Sequence, residues 1–167
     1  NPWVDYTFSV KAHDEANHQS VGLELSLKTP DWVSPEWPLG GELQIDHIGP
    51  YGLKLSWMSA VDDVGIAEYR ITQDGVVIAQ TGSDATEYWV QGLSPWTTYS
   101  FGIEGVDAAG NWTPTSLFSG AQTTDESPPV WTNGWLKATD ITDESLLLTW
   151  SQATDDVKVT HYTVFKE

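Results

Sequence analysis

The chain has 167 residues, no cysteine, and a formal charge of −17 from 24 acidic and 7 basic side chains. That charge argues against nucleic acid as a partner, because phosphates demand basic patches, and equally against an anionic membrane surface. The lack of cysteine excludes disulfide frameworks, thiolate zinc sites and thiol catalysis, and no apolar run approaches the roughly 18 residues of a membrane helix. A surplus of carboxylates suits a well-solvated chain or one that gathers divalent cations.

Taken from the N-terminus, strand signals dominate. Tyr6-Thr7-Phe8-Ser9-Val10 alternates polar and apolar residues, and Thr29-Pro30-Asp31-Trp32-Val33-Ser34-Pro35 follows as a stiff connector. Strands are expected near 42–48, 53–58, 67–73, 76–80, 86–90, 98–106 and 115–123. Leu53, Leu55 and Trp57 alternate with Lys54 and Ser56, the period of a half-buried strand. Asp74-Gly75 is a hairpin pair. A second proline-bearing connector, Thr123-Thr124-Asp125-Glu126-Ser127-Pro128-Pro129, leads to Leu146-Leu147-Leu148-Thr149-Trp150. No helical stripe of useful length is present.

The chain repeats itself. Leu53-Lys54-Leu55-Ser56-Trp57, Asp62-Asp63-Val64 and Tyr69 return as Leu146-Leu147-Leu148-Thr149-Trp150, Asp155-Asp156-Val157 and Tyr162, each 93 positions on. Asn1-Pro2-Trp3 and Tyr6-Thr7-Phe8-Ser9-Val10 return at the same interval as Ser94-Pro95-Trp96 and Tyr99-Ser100-Phe101-Gly102-Ile103. A period near ninety with strand content implies beads of one fold. Residues 1–31 end a first bead, 32–124 form a complete one, and 125–167 begin a third. The chain is therefore expected to be a piece of a longer array. Were it a whole subunit, the tail of one copy could pair with the head of the next to make an open filament.

The order Leu-x-Leu-x-Trp, Asp62-Asp63-Val64-Gly65, Tyr69-Arg70-Ile71, Asp74-Gly75-Val76, Gly92-Leu93-Ser94-Pro95-x-Thr97-x-Tyr99 and Val106-Asp107-Ala108-Ala109-Gly110-Asn111 resembles the bacterial branch of the fibronectin type III family. The resemblance covers all of 32–124, the first three strands in 125–167 and the last two in 1–31. It implies an all-β fold of tandem immunoglobulin-like (fibronectin type III) β-sandwiches, with Trp57 and Trp150 on the second strand as core residues. It implies also that Leu93, Pro95 and Tyr99 form a corner in which the tyrosine hydroxyl ties the preceding loop. Two departures stand out. Lys158 replaces Gly65 in the last repeat. The first repeat reads Asp14-Glu15-Ala16-Asn17 against Asp107-Ala108-Ala109-Gly110-Asn111, an apparent loss of a residue and a glycine that puts its loop geometry in question.

Such a fold brings the loop after the second strand, the loop after the sixth and the incoming connector to one pole. Asp62 and Asp63 would meet Asp107, Asn111 and Asp31 there, and Asp125, Asp155 and Asp156 would repeat the pattern at the next junction. Hard oxygens from carboxylates, amides and carbonyls are what calcium coordinates. Calcium would neutralise the carboxylates and stiffen the joint between beads. The competing reading is turn chemistry, because Asp and Asn cap turns with no metal.

Ten tryptophans are many for this length. Trp57, Trp89 and Trp150 fall on core phases. Trp32, Trp37, Trp131 and Trp135, near the connectors, suit packing between beads or stacking on sugar rings. Asn111-Trp112-Thr113 is a glycosylation sequon that coincides with the family motif. Catalysis has little support: His13, His18, His47 and His161 lack metal-ligand spacing, and no Gly-x-Ser-x-Gly elbow or phosphate loop occurs. The expected role is a non-catalytic, extracellular or cell-surface segment of an adhesive or structural fibre. Its partners would be neighbouring modules or subunits of the same protein and surface glycans, with no nucleic acid and no membrane insertion. The resemblance implies one alternative, spacer modules in a secreted polysaccharide-degrading enzyme.

Overall fold

The computed structural model describes residues 1–166. Eleven strands and no helix occur among the described residues. The first two strands, β1 (Asp5–Val10) and β2 (Leu23–Lys28), form an antiparallel pair with Asp5 opposite Lys28 and Val10 opposite Leu23. Seven follow: β3 (Gln44–Asp46), β4 (Gly52–Ser56), β5 (Ile66–Gln73), β6 (Val76–Gly82), β7 (Glu87–Gln91), β8 (Thr98–Asp107) and β9 (Leu117–Gln122). They form a three-stranded sheet, β3-β4-β7, and a four-stranded sheet, β6-β5-β8-β9, in a sandwich arrangement. The last two, β10 (Leu136–Thr139) and β11 (Leu147–Trp150), make a second antiparallel pair.

Two compact units emerge. One gathers Asn1–Ile45, Leu55–Tyr88 and Tyr99–Gly120; the other gathers Asp46–Lys54, Trp89–Thr98 and the chain from Ala121 onward.

The core comes from alternation. Leu53 and Leu55 of β4 are fully buried while Lys54 and Ser56 face outward, and Tyr69 with Ile71 of β5 and Phe101 with Ile103 of β8 are fully buried as well. Asp74 and Gly75 turn β5 into β6 with φ of 49° and 80°, the left-handed pair that a tight hairpin demands. Asp74 accepts bonds through Oδ1 from the Ser100 amide (2.8 Å) and the Ser100 hydroxyl (2.9 Å), which pins the turn.

Three expectations need correction. Trp89 is 50 % exposed, lying edge-on to His47 at 5.4 Å, because β7 turns Val90 inward and the neighbouring residue must point the other way. The loop at Asp14 has lost nothing. His18 donates its amide to Asp14 Oδ1 (2.9 Å) just as Asn111 donates to Asp107 Oδ1 (2.8 Å), and Asn17 adopts φ 64° where Gly110 has 93°. Asparagine tolerates that left-handed conformation, so no glycine is needed. The strand expected around Tyr162 is not formed in 157–166, although Tyr162 itself is docked on two tryptophans.

Candidate functional site

In the first unit the site grows from one buried tyrosine. Tyr69 has Trp57 against its edge (5.7 Å between centroids) and Trp37 stacked on it (6.0 Å). Its hydroxyl accepts the Ala60 amide at 2.9 Å, which fixes the start of the loop after β4. Trp37 donates its indole N–H to the Thr115 carbonyl (2.8 Å), tying the incoming connector down. Next to it, Glu36 and Val61 exchange both backbone bonds, at 2.9 and 2.8 Å. The connector and the loop that carries Asp62 and Asp63 are thus locked side by side.

The loop after β8 completes the arrangement. Thr113 returns its amide to the Gly105 carbonyl (2.9 Å), closing the turn from Asp107 to Asn111. Asp107, 3 % exposed, holds Asn111 through both oxygens: Oδ1 takes the Asn111 amide and Oδ2 takes its side-chain Nδ2, each at 2.8 Å. Asn111 Nδ2 also donates to the backbone carbonyl of Asp31 at 3.2 Å. Asp107 and Asn111 therefore brace the backbone that presents Asp31.

Asp31, Asp62 and Asp63 come together, each offering a carboxylate oxygen within 4.8 Å of the other two. Asp31 is 4 % exposed; its Oδ1 accepts the Val33 amide at 3.0 Å, and its Oδ2 is buried with no hydrogen-bond partner. Asp62 Oδ2 accepts the amides of Val64 and Gly65, both at 2.9 Å, leaving Oδ1 buried and equally unpartnered. Gly65 has φ 111°, a conformation that favours glycine and lets its amide turn back to Asp62. Asp63 is exposed. No lysine or arginine among the described residues forms an ion pair with these three carboxylates.

The second unit holds a matching group. Asp125, Asp155 and Asp156 each place an oxygen within 4.8 Å of the others. Asp155 Oδ1 accepts the amides of Val157 (3.0 Å) and Lys158 (2.9 Å), so lysine at the position of Gly65 preserves the turn bond, while Oδ2 is buried and unpartnered. Val130 and Thr154 exchange backbone bonds at 2.9 Å. Tyr162 accepts the Ala153 amide at 3.0 Å, with Trp150 at 5.6 Å and Trp131 at 6.2 Å from its ring.

Several of the remaining aromatic and basic groups are engaged elsewhere. Trp112, the middle residue of the sequon, lies under the Arg70 guanidinium at 4.1 Å, and Arg70 Nε donates to Glu104 at 2.9 Å. The hydrogen bond from Arg70 holds the Glu104 carboxyl below its ordinary pKa of 4.5. Trp131 donates its indole N–H to the Ser151 carbonyl, and Lys137 lies over Trp135 at 4.8 Å. Trp32 is 83 % exposed. His18 is bonded to Asp14, and His161 to the Thr160 hydroxyl. The ring of Trp37 on Tyr69 was missed in the sequence; the signal was its recurrence as Trp131 in front of Tyr162.

The family model for the fibronectin type III domain matches residues 35–119, about half of the chain. The chain belongs to the fibronectin type III family. Among known proteins it is 39 % identical over 83 residues to chitinase Chi52 of Paenibacillus xylanexedens, covering 50 % of this chain and 15 % of that protein. It is 31 % identical over 142 residues to chitinase A1 of Niallia circulans, covering 81 % of this chain and 19 % of that protein. Among solved structures, the FN1–FN3 domains of chicken CNTN1 superpose with a TM-score of 0.51 at 16 % identity, over 74 % of this chain and 44 % of theirs, a likeness of fold alone. The chain thus spans less than a fifth of the length of the two chitinases it matches. No helix among the described residues is long and apolar enough to cross a membrane.

Proposed function

We propose that this segment is a non-catalytic spacer of an extracellular polysaccharide-degrading enzyme. In this reading residues 32–124 are one whole fibronectin type III module, with parts of further modules on either side. The observation that carries the proposal is the extent of the match to chitinase A1, which takes in 81 % of this chain but only 19 % of the chitinase. A likeness so broad on one side and so narrow on the other suits a repeated accessory module held in common by larger enzymes. A chitinase D and an alpha-amylase of Niallia circulans also match, at 34 % and 33 % identity, which favours an accessory role over one tied to a single substrate. These relatives move the weight from the adhesive fibre expected from sequence to the spacer.

The physical chemistry agrees. A β-sandwich whose sheets are set by alternating strands offers a stiff body of fixed length, and its loops tolerate variation. The formal charge of −17 keeps neighbouring modules soluble and apart. The partners in this reading are the adjoining modules of the same polypeptide and, through them, the glycan surface on which the enzyme works.

Reading the coding sequence on both sides tests this. A glycoside hydrolase domain in the same polypeptide is expected. Flanks that contain only further β-modules and a surface anchor would replace the spacer with the fibre.

A further inference from the structure

We propose that Asp31, Asp62 and Asp63 form a calcium site, braced by Asp107 and Asn111. Turn chemistry accounts for only half of each buried carboxylate. Asp31 Oδ1 caps Val33 and Asp62 Oδ2 caps Val64 and Gly65. The opposite oxygens, Asp31 Oδ2 and Asp62 Oδ1, are buried with no donor at all, although Asp31 as a whole is 96 % removed from solvent by its 4 % exposure. A buried carboxylate oxygen without a hydrogen bond or a cation is strongly unfavourable. Asparagine would cap both turns through its carbonyl oxygen without bringing two negative charges together. Aspartate at both positions, with Asp63 beside them, is what a metal explains and a turn does not.

The geometry suits calcium. The three oxygens lie within 4.8 Å of one another, close enough for one ion to reach all of them with calcium–oxygen bonds of about 2.4 Å. All the donors are hard oxygens on loop segments, which calcium accepts in flexible numbers and magnesium does not. The remaining positions fall to solvent and backbone carbonyls. Asp107 is not required as a ligand. Both its oxygens hold Asn111, whose Nδ2 reaches the Asp31 carbonyl, so the pair fixes the backbone that aims Asp31 into the cluster. The bound ion would tie the connector at Asp31 to the loop after β4 without any change in the sheets.

The cluster of Asp125, Asp155 and Asp156 has the same unpartnered oxygen on Asp155, but both of its flanking carboxylates are exposed, so it is the weaker of the two.

The test uses the full chain, stripped with chelator and titrated calorimetrically with calcium chloride alone, alongside D31N, D63N and D156N. A saturable heat and a rise in Tm are expected for the wild type. D31N and D63N should bind roughly tenfold more weakly or worse through loss of a charged ligand, whereas D156N should retain the tighter site. In chelator, D31N should melt no lower than the wild type, because the amide keeps the Val33 bond and removes a buried charge. Asp63 is exposed, so D63N tests the site without disturbing the core. Absence of heat and of any Tm shift at millimolar calcium would overturn the site. So would wild-type binding by D31N and D63N, loss of the tight site in D156N alone, or magnesium binding as tightly as calcium.

Discussion

Tyr69 shows how much one hydroxyl can organise. It is fully buried between Trp57 and Trp37 and accepts the Ala60 amide. Replacing it with phenylalanine leaves the packing and strands that amide, at a cost of about 1–3 kcal/mol. Urea unfolding of Y69F should show the loss. Tyr162 makes the same bond in a part-buried setting, so water can substitute there and Y162F should lose less. A second residue-scale prediction concerns acid. Glu104 has its pKa lowered by the bond from Arg70, so its contribution to stability is present above the unfolded value near 4.5 and fades as pH falls through the lower folded value. Melting temperature followed from pH 6 downward should fall more steeply for the wild type than for E104Q.

At this scale the sequence is legible where the chemistry is local and opaque where it depends on a partner. Asp74-Gly75 announced its turn, and both residues have the positive φ that the turn needs. The cluster of Asp31 with Asp62 and Asp63 was legible from the order of loops in the fold, and so was that of Asp125 with Asp155 and Asp156. The bracing pair was not. Asp107 and Asn111 look like ligands in sequence, and only the structure shows each satisfied by the other. The equivalence of His18 and Asn111 was hidden because an imidazole and an amide share no sequence likeness, yet each reaches Oδ2 of the aspartate four residues before it, His18 that of Asp14 and Asn111 that of Asp107.

The strands obey alternation except at the edges. All seven expected between 42 and 123 are present. Trp89 marks the limit: a large apolar residue in a strand reads as core, but β7 turns Val90 inward and one register step decides the face. Gly52 of β4 and Gly82 of β6 offer a contrast. A methyl group on Gly52 would lie 2.6 Å from the Val90 carbonyl oxygen, whereas one on Gly82 meets nothing within 4 Å. G52A should therefore be destabilised by about 1–3 kcal/mol through overpacking against backbone, and G82A should stay within about 0.5 kcal/mol of the wild type. Chemical denaturation of the two variants side by side checks the pair. At the hairpin, Gly75 has φ 80°, so G75A should lose about 1 kcal/mol from the strained turn alone.

Across the whole chain, recurrence is the strongest structural signature. The docking of Trp37 and Trp57 on Tyr69 returns as Trp131 and Trp150 on Tyr162, with ring separations matching to 0.2 Å or better (6.0 and 6.2 Å; 5.7 and 5.6 Å). Near the other end, Thr29 Oγ1 takes the Val4 amide at 3.0 Å as Thr123 Oγ1 takes the Thr97 amide at 2.9 Å. Sequence periodicity made the repeat of Trp57 and Tyr69 as Trp150 and Tyr162 legible, because both members recur 93 positions on. The function was less legible, since a β-sandwich is used for many purposes and its sequence records the packing first. The relatives supply the rest: a spacer reading rests on a module found within much larger chitinases.

Deleting these residues from the proposed parent enzyme and assaying it on soluble and insoluble forms of its polysaccharide tests the spacer most directly. The account predicts soluble-substrate turnover within about twofold of the parent, because in the spacer reading no group of this segment takes part in the chemistry, together with a fall in the rate on the insoluble polymer. Equal loss of activity on both substrates, with the catalytic domain still folded, would contradict it.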